Sequence, residues 1–132
     1  MKAHFTNTIK AEWLADGWNM RLLEDVSFVD SSGKEWKAFA GEVVNGASIP
    51  RFFWRIIGSP FVGKYRRPSV IHDVYCDRRD EPHEAVHAMF KEAMECDGVP
   101  SYKVDTMFNA VDKFGPKWDE NGNDLETQGL NI

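Results

Sequence analysis

The sequence predicts a single α+β domain, in which a small antiparallel sheet from the N-terminal third packs against three to four C-terminal helices. Two patterns predict it: apolar and polar residues alternate in the first third, and apolar residues recur at helical spacing after residue 48. A chain of 132 residues with 42% hydrophobic content can bury its own core. We expect residues 1–118 to form this domain and residues 119–132 to form a loosely held polar tail.

The predicted strands occupy the first 40 residues. A first strand at 10–14 is followed by the turn Asp16-Gly17 and by a strand in which Trp18, Met20 and Leu22 alternate with polar residues. Residues 26–29 and 34–40 then flank a turn at 30–33, which indicates a hairpin or small meander. Because so few strands are marginally stable alone, we expect helices to cover one face.

The predicted helices are bounded by residues that favour helix starts and stops. Their limits are 50–57 with Ser48 as the N-cap, 68–76 opened by Pro68, 81–96 capped by Asp80 and stopped before Gly98, and a last helix from the cap Ser101 to Gly115-Pro116.

The chain has the composition of a cytoplasmic protein. No apolar run approaches the roughly 20 residues that cross a bilayer, and the N-terminus lacks the apolar core of a signal peptide. We therefore expect no membrane partner. In a reducing compartment Cys76 and Cys96 are expected to stay thiols that pack as small hydrophobes.

Charge is unevenly distributed along the chain. Residues 51–79 hold seven Arg and Lys against two acids, a local charge of +5, whereas the whole chain carries −5. Interleaved aromatic residues make a phosphate-bearing host or phage factor a candidate partner, although the overall charge makes duplex DNA unfavourable. The alternative is a charged surface over an aromatic core. The expected contacts are Arg51, Arg55, Arg66 and Arg67.

Helices 68–76 and 81–96 are joined by about four residues, so we expect an antiparallel pair. Around a midpoint between residues 79 and 80, His72 lies opposite His87 and Cys76 opposite His83. Three imidazoles and a thiol are a credible set of zinc ligands. The alternative is a seam of aromatic and sulfur-containing side chains without a cofactor.

Two shorter motifs overlap this set. His83-Glu84-Ala85-Val86-His87 matches the His-Glu-x-x-His pattern of metalloproteases, but Pro82 places His83 in the first helical turn, which favours an accidental match. His72-Asp73 could act as a general base or hold a metal, or could be a core histidine beside a solvated acid. Adjacent helical positions point about 100° apart, so we expect the two side chains to face different partners.

The order of motifs resembles a known family. A strand pair is followed by Gly41-Glu42-Val43-Val44-Asn45-Gly46-Ala47-Ser48-Ile49-Pro50, then by Ile71-His72-Asp73-Val74-Tyr75, a helix ending near Gly98-Val99-Pro100, and a last helix before Gly115 and Trp118. Over residues 18–118 this is similar to the phage and prophage family called domain of unknown function 1353, whose name records no activity. Asn45 and His87 depart from that pattern, because each stands where the family usually has an acid.

The resemblance and the motifs together favour a small phage-encoded, hydrolase-like protein. We expect its site where the turn 47–50 meets the helix of His72 and Asp73, with His72 as base or ligand and His87 as its partner. Asn45 and Ser48 border that site, although no nucleophile elbow surrounds Ser48 and a capping role is favoured for it. The rival hypotheses are a non-catalytic binder or inhibitor of a host factor, which uses segment 51–79, and a virion or assembly component.

Overall fold

The computed structural model describes residues 2–57 and 61–125. Short strands come first and helices follow, which confirms the α+β prediction. The strands are β1 (His4–Phe5), β2 (Ala11–Trp13), β3 (Met20–Leu22), β4 (Val26–Val29), β5 (Glu35–Ala38) and β6 (Val43–Val44). The helices are α1 (Arg51–Ile57), α2 (Arg66–Arg78), α3 (His83–Cys96) and α4 (Ser101–Phe114), with a 3₁₀ turn at Gly63–Tyr65. Within the described residues, none of these helices is long and apolar enough to cross a membrane.

The strands form two antiparallel sheets rather than the single sheet expected. One has the order β1-β4-β5 and the other β2-β3-β6. The predicted neighbours β2 with β3 and β4 with β5 do pair, and Asp30 fixes the turn of the second hairpin by accepting backbone N–H bonds from Ser32 and Lys34. Strands β1 and β6 are only two residues long, too short for an alternating pattern to reveal them.

The helix limits differ from the predicted ones mainly at the N-termini. Helix α2 begins at Arg66, so Pro68 lies inside its first turn. The backbone N–H groups of a first turn have no acceptor within the helix, so the N–H that proline lacks costs no helical hydrogen bond there. Helices α3 and α4 follow Pro82 and Pro100, and neither has a side-chain cap. The capping roles predicted for Asp80 and Ser101 are therefore wrong, because a proline in extended conformation precedes each helix instead.

Helices α2 and α3 form the expected antiparallel pair. Near the start of α2, Arg67 contacts Asp97 just beyond the end of α3, and near the middle of α2, His72 contacts His87 in the first half of α3. The sheets pack against α2 and part of α3 in one apolar cluster, while other residues of α3 pack with α4 and the turn before α1 in a second cluster. The buried part of α2, with its three polar residues Ser69, His72 and Asp73, thus lies inside the domain rather than at its rim.

Beyond α4 the chain returns to the α2–α3 connection. Trp118 is buried and bridges to Asp124 in an antiparallel arrangement, and Arg79 forms an ion pair with Asp124. The predicted polar tail begins within this bridge, and its residues 126–132 lie outside the described part of the chain.

Candidate functional site

A row of hydrogen-bonding groups crosses the interior between α2 and α3. The Oγ of Ser48 lies 3.1 Å from Nδ1 of His72, and Nε2 of the same ring lies 2.9 Å from Nδ1 of His87. The Nε2 of His87 lies 2.9 Å from the carbonyl oxygen of Pro116. Four residues from the turn before α1, from α2, from α3 and from the segment after α4 therefore form one continuous chain.

The carbonyl of Pro116, at the end of this row, fixes which atom donates in each hydrogen bond between the imidazoles. A carbonyl oxygen can only accept, so Nε2 of His87 carries a proton, and in a neutral ring Nδ1 is then an acceptor. Nε2 of His72 must donate to it, which leaves Nδ1 of His72 as an acceptor for the hydroxyl proton of Ser48. Nδ1 of His72 is thus an acceptor beside the Ser48 hydroxyl, in an imidazole that is itself oriented by a second imidazole.

Burial keeps both imidazoles neutral. Each ring is 0% exposed. Desolvation lowers the pKa of His72 well below its ordinary value, and a charge on neighbouring His87 would lower it further. Desolvation also lowers the pKa of His87, against the opposing effect of its bond to the Pro116 carbonyl. The neutral forms required by the hydrogen-bond direction are therefore the stable ones near neutral pH.

Asp73 holds the turn that carries Ser48. Its two carboxylate oxygens accept backbone N–H bonds from Asn45 at 2.9 Å and from Ser48 at 3.2 Å. Burial raises the pKa of Asp73, while the backbone bonds from Asn45, Ser48 and Gly46 and a hydrogen bond from the Ser48 side chain oppose the increase. The Ser48 hydroxyl therefore has two acceptors within reach, His72 and Asp73. Gly46 adopts a left-handed conformation, with φ of 78°, which lets the turn fold around the carboxylate.

This arrangement corrects two expectations. His72 and Asp73 were expected to face different partners, yet both bind Ser48, one at the hydroxyl and one at the backbone N–H, because the turn lies between their two directions. Ser48 was expected to cap α1, but that helix starts three residues later and the hydroxyl bonds His72 instead.

The predicted zinc ligands converge only in part. One ligand atom from each of His72, Cys76 and His87 lies within 4.8 Å of the others, and all three residues are buried. Within the described part of the chain, His83 is not in this group. Its Nε2 lies 3.2 Å from a carboxylate oxygen of Glu84, and its ring packs edge-on against Trp118.

The distances within the group are near those of a tetrahedral metal site, and small shifts of the side chains would be needed to reach them. Zinc bonds to nitrogen and sulfur place two nitrogens about 3.3 Å apart and a nitrogen and a sulfur about 3.5 Å apart. The nitrogens of His72 and His87 are 2.9 Å apart, shorter than in such a site, because they share a hydrogen bond. The Sγ of Cys76 is 3.6 Å from Nε2 and 3.9 Å from Nδ1 of His72, so it lies over the face of that ring. Burial raises the pKa of the Cys76 thiol well above its ordinary value, so a cation would have to displace its proton.

A cleft of about 320 Å³ opens on the outer side of the Ser48 turn. Asn45 and Ala47, the turn residues on either side of Gly46, form part of its wall. The guanidinium of Arg51 also lines it and stacks 4.2 Å over the ring of Trp18. Other lining residues are Asp16, Asn19 and Trp54.

The four expected arginine contacts lie in different surroundings. Arg51 faces the cleft, and Arg55 is exposed on the same short helix. Arg66 is exposed and donates to the carbonyl of Phe61. Arg67 forms two hydrogen bonds with Asp97, at 2.6 and 2.9 Å, so its charge is already paired within the fold.

Sequence reasoning missed two groups at this site. The carbonyl of Pro116 orients His87, and the ring of Trp118 packs edge-on against the same imidazole. A backbone carbonyl leaves no trace in a sequence pattern. The buried Trp118, which donates its indole N–H to the carbonyl of Glu81, had a signal only as an apolar residue close to Gly115-Pro116.

Comparisons with known proteins place the chain in one family. It is 42% identical over 110 residues to "Uncharacterized protein y4jT" of Sinorhizobium fredii (strain NBRC 101917 / NGR234), a match that covers 83% of this chain and 31% of that protein. It is 36% identical over 103 residues to "Uncharacterized protein y4iH" of the same strain, which covers 78% and 43%. The chain therefore spans less than half the length of both relatives. No solved structure matches significantly. The model of the family "Protein of unknown function (DUF1353)" matches residues 20–111, a range that includes Ser48, His72, Asp73, Cys76 and His87, and the chain belongs to that family.

Proposed function

We propose that this protein is a hydrolase in which Ser48 is the nucleophile, His72 its general base and His87 the residue that orients the base. The observation that supports it most directly is the chain from the Ser48 hydroxyl through both imidazoles to the Pro116 carbonyl. A nucleophile bonded to a base that a third group orients is the arrangement shared by serine hydrolases on unrelated folds. Asp73 is a positioning residue, because it holds the backbone of the turn.

In the proposed chemical step, the proton of Ser48 moves along the hydrogen bonds described above. Ser48 Oγ forms a bond to an electrophilic acyl carbon, and its proton passes to Nδ1 of His72. The resulting imidazolium donates through Nε2 to the neutral Nδ1 of His87, which stabilises the charge. The leaving group then takes the proton from Nδ1, and water repeats the sequence to release the acid and restore Ser48.

The cleft beside the turn is the proposed substrate site. Because Arg51 presents its guanidinium there, we expect a substrate that carries an anionic group near the scissile bond. Ser48 is 4% exposed, so a substrate reaches its hydroxyl only if the adjacent cleft wall moves aside while the turn, held by Asp73, keeps Oγ beside His72. We expect this opening to occur when a ligand binds in the cleft, so that Ser48 is accessible only in the ligand-bound protein.

A fluorophosphonate probe tests this assignment without a known substrate. The probe phosphonylates an activated serine and loses fluoride, and mass spectrometry of the digested protein locates the adduct. We expect the adduct on Ser48 although Ser32 and Ser101 are more exposed, since activation rather than exposure determines the rate. Those two serines are controls within the same sample.

Two variants separate activation from mere access. His72→Gln removes the base and should reduce labelling of Ser48 by at least about 100-fold. Arg55→Gln changes an exposed residue outside the cleft lining and should leave labelling unchanged. Circular dichroism establishes that each variant is folded. Equal labelling of wild type and His72→Gln, or no adduct on Ser48 in folded wild type, would refute the proposed function.

The phage or prophage origin is a separate part of this proposal. Its support is the order of motifs from the strand pair to Trp118. The neighbouring genes test it: lysis or tail genes beside this gene would support the origin, and a neighbourhood of bacterial housekeeping genes would argue against it.

A further inference from the structure

We infer that His72, Cys76 and His87 form a zinc site, and that zinc bound there reverses the hydrogen bond between His72 and Ser48. The site itself rests on the three converging ligand atoms, while its consequence for activity rests on the proposed function. The hydrogen bond between the two imidazoles and a bound metal would need the same two nitrogen atoms, since the proton of that bond lies where a metal would bind.

The outer nitrogens of both rings are already placed for metal binding. A histidine ligand usually donates its other ring N–H to a fixed acceptor. The outer Nε2 of His87 has the Pro116 carbonyl at 2.9 Å, and the outer Nδ1 of His72 has the Ser48 hydroxyl at 3.1 Å. The inner nitrogens, Nε2 of His72 and Nδ1 of His87, face each other. The Cys76 sulfur lies over the His72 ring, within 4.8 Å of both, and a rotation of its side chain would bring it to a metal between them.

Binding of zinc requires a definite rearrangement of protons. The Cys76 thiol releases its proton to solvent and becomes a thiolate ligand. The proton of His72 moves from Nε2 to Nδ1, so that Nε2 can bind the metal. His87 keeps its proton on Nε2. The charge of the zinc complex is therefore +1, and one proton is released.

This rearrangement changes the role of Ser48. Nδ1 of His72 now carries a proton and donates to the Ser48 oxygen, so it no longer accepts the hydroxyl proton. With zinc bound, the proposed nucleophile has lost its base. The described residues supply three ligands, which leaves the fourth position to water.

The donor set favours soft or borderline cations. One thiolate and two imidazoles suit zinc and do not suit magnesium or calcium, which require oxygen ligands. Cobalt(II) occupies similar sites, and its thiolate charge-transfer absorption reports directly on a bond to sulfur. Cobalt(II) is therefore the probe for the site, and zinc is the competing ion.

The first experiment titrates the metal-free protein with cobalt(II). We expect one ion per chain and a thiolate charge-transfer band that one equivalent of zinc abolishes. Cys76→Ser should remove the band and weaken binding at least about tenfold, because even loss of an outer partner costs that much. Cys96→Ser alters the exposed thiol, which lies outside the ligand group, and should change neither result. Cys76→Ala replaces Cys76→Ser if the latter does not fold.

The second experiment observes the proton on His72 by nitrogen-15 NMR of the histidine rings. With chelator we expect the proton on Nε2, and with one equivalent of zinc on Nδ1. In parallel, zinc should suppress fluorophosphonate labelling of Ser48 in wild type but not in Cys76→Ser. Absence of the cobalt band, or an unchanged tautomer in the presence of bound zinc, would overturn this inference even if Ser48 is labelled. A band and a tautomer shift without any labelling would keep the metal site and reject the hydrolase.

Discussion

The Nε2 of His72 lies 2.9 Å from Nδ1 of His87, although 15 residues separate them in the sequence. Two imidazoles that are both 0% exposed share a single proton and have no carboxylate between them. Since a buried polar group without a partner is costly, each ring depends on the other and on its outer partner for stability. The pair therefore contributes to the fold as well as to any chemistry at Ser48.

Replacement of His87 by Ala should be strongly destabilising. The change opens a cavity and leaves Nε2 of His72 and the Pro116 carbonyl without their partners, for which we expect about 2–5 kcal/mol less free energy of unfolding. Glu95→Ala is the control, an exposed residue on the same helix, and should stay within about 0.5 kcal/mol of wild type. Urea denaturation of metal-free protein measures both. Equal losses would show that the buried pair has no special role.

The stability of metal-free protein should increase as the pH rises towards neutrality. The pKa values of His72 and His87 are lowered by burial, so below about pH 6.5 the unfolded chain binds protons that the folded chain does not. In that range each histidine lowers the free energy of unfolding by about 1.4 kcal/mol for every unit by which the pH falls, and above about pH 6.5 this loss is absent. Urea denaturation at a series of pH values measures the slope.

Asp73 provides a control on the sign of this dependence. Its pKa is raised by burial, so its contribution to stability decreases as the pH rises above about 3.9. Asp73→Asn removes that opposing contribution, and the variant should show a steeper increase of stability with pH than wild type. A flat profile in wild type, or a stability that falls between about pH 5 and pH 7, would contradict the assignment of neutral buried histidines.

Asp73→Asn should also loosen the turn that carries Ser48. An amide keeps one acceptor oxygen but turns a donor towards a backbone N–H, so we expect a loss of about 1–3 kcal/mol at neutral pH. Asp77→Asn, one turn later on α2 and exposed, should stay within about 0.5 kcal/mol of wild type. If Asp73 acts by position, Ser48 labelling in the folded variant should decrease without a change in its pH dependence; labelling at the wild-type rate would argue against that role.

The basic segment gives a prediction about phosphate-bearing partners. If Arg51, Arg55 and Arg66 contact three phosphates, binding of a short single-stranded oligonucleotide should weaken about 20-fold between about 50 and 200 mM salt. The charge reversal Arg51→Glu with Arg55→Glu should weaken it further in a protein that stays folded. Fluorescence anisotropy measures the affinity. Binding that is independent of salt would exclude electrostatic capture by this segment.

Arg67 is unsuitable for that test. Its guanidinium is paired with Asp97 and lies 4.5 Å over the ring of Phe5, so charge reversal there would disturb the junction of α2 with the end of α3. Its inclusion among the partner contacts was reasonable from the sequence, where a run of basic residues gives no indication of which charges are paired internally.

Local signals in the sequence determined the order of the elements and one long contact. The strand pairs β2–β3 and β4–β5 follow from alternation and short turns, and the α2–α3 pair follows from a connection of a few residues. That pairing places His72 opposite His87, as the sequence predicts, because two helices joined by a short loop have little freedom to shift. The same rule did not bring His83 into the group.

The tertiary structure decided what these residues contact. Ser48 and His72 are 24 positions apart, and His87 and the Pro116 carbonyl are 29 apart. No periodicity, cap or turn rule operates over such separations, because those rules describe a residue and its neighbours within about four positions. The packing of the Ser48 turn onto α2 converted an expected helix cap into the partner of an imidazole, and the return of the chain after α4 supplied the carbonyl that fixes the direction of the protons.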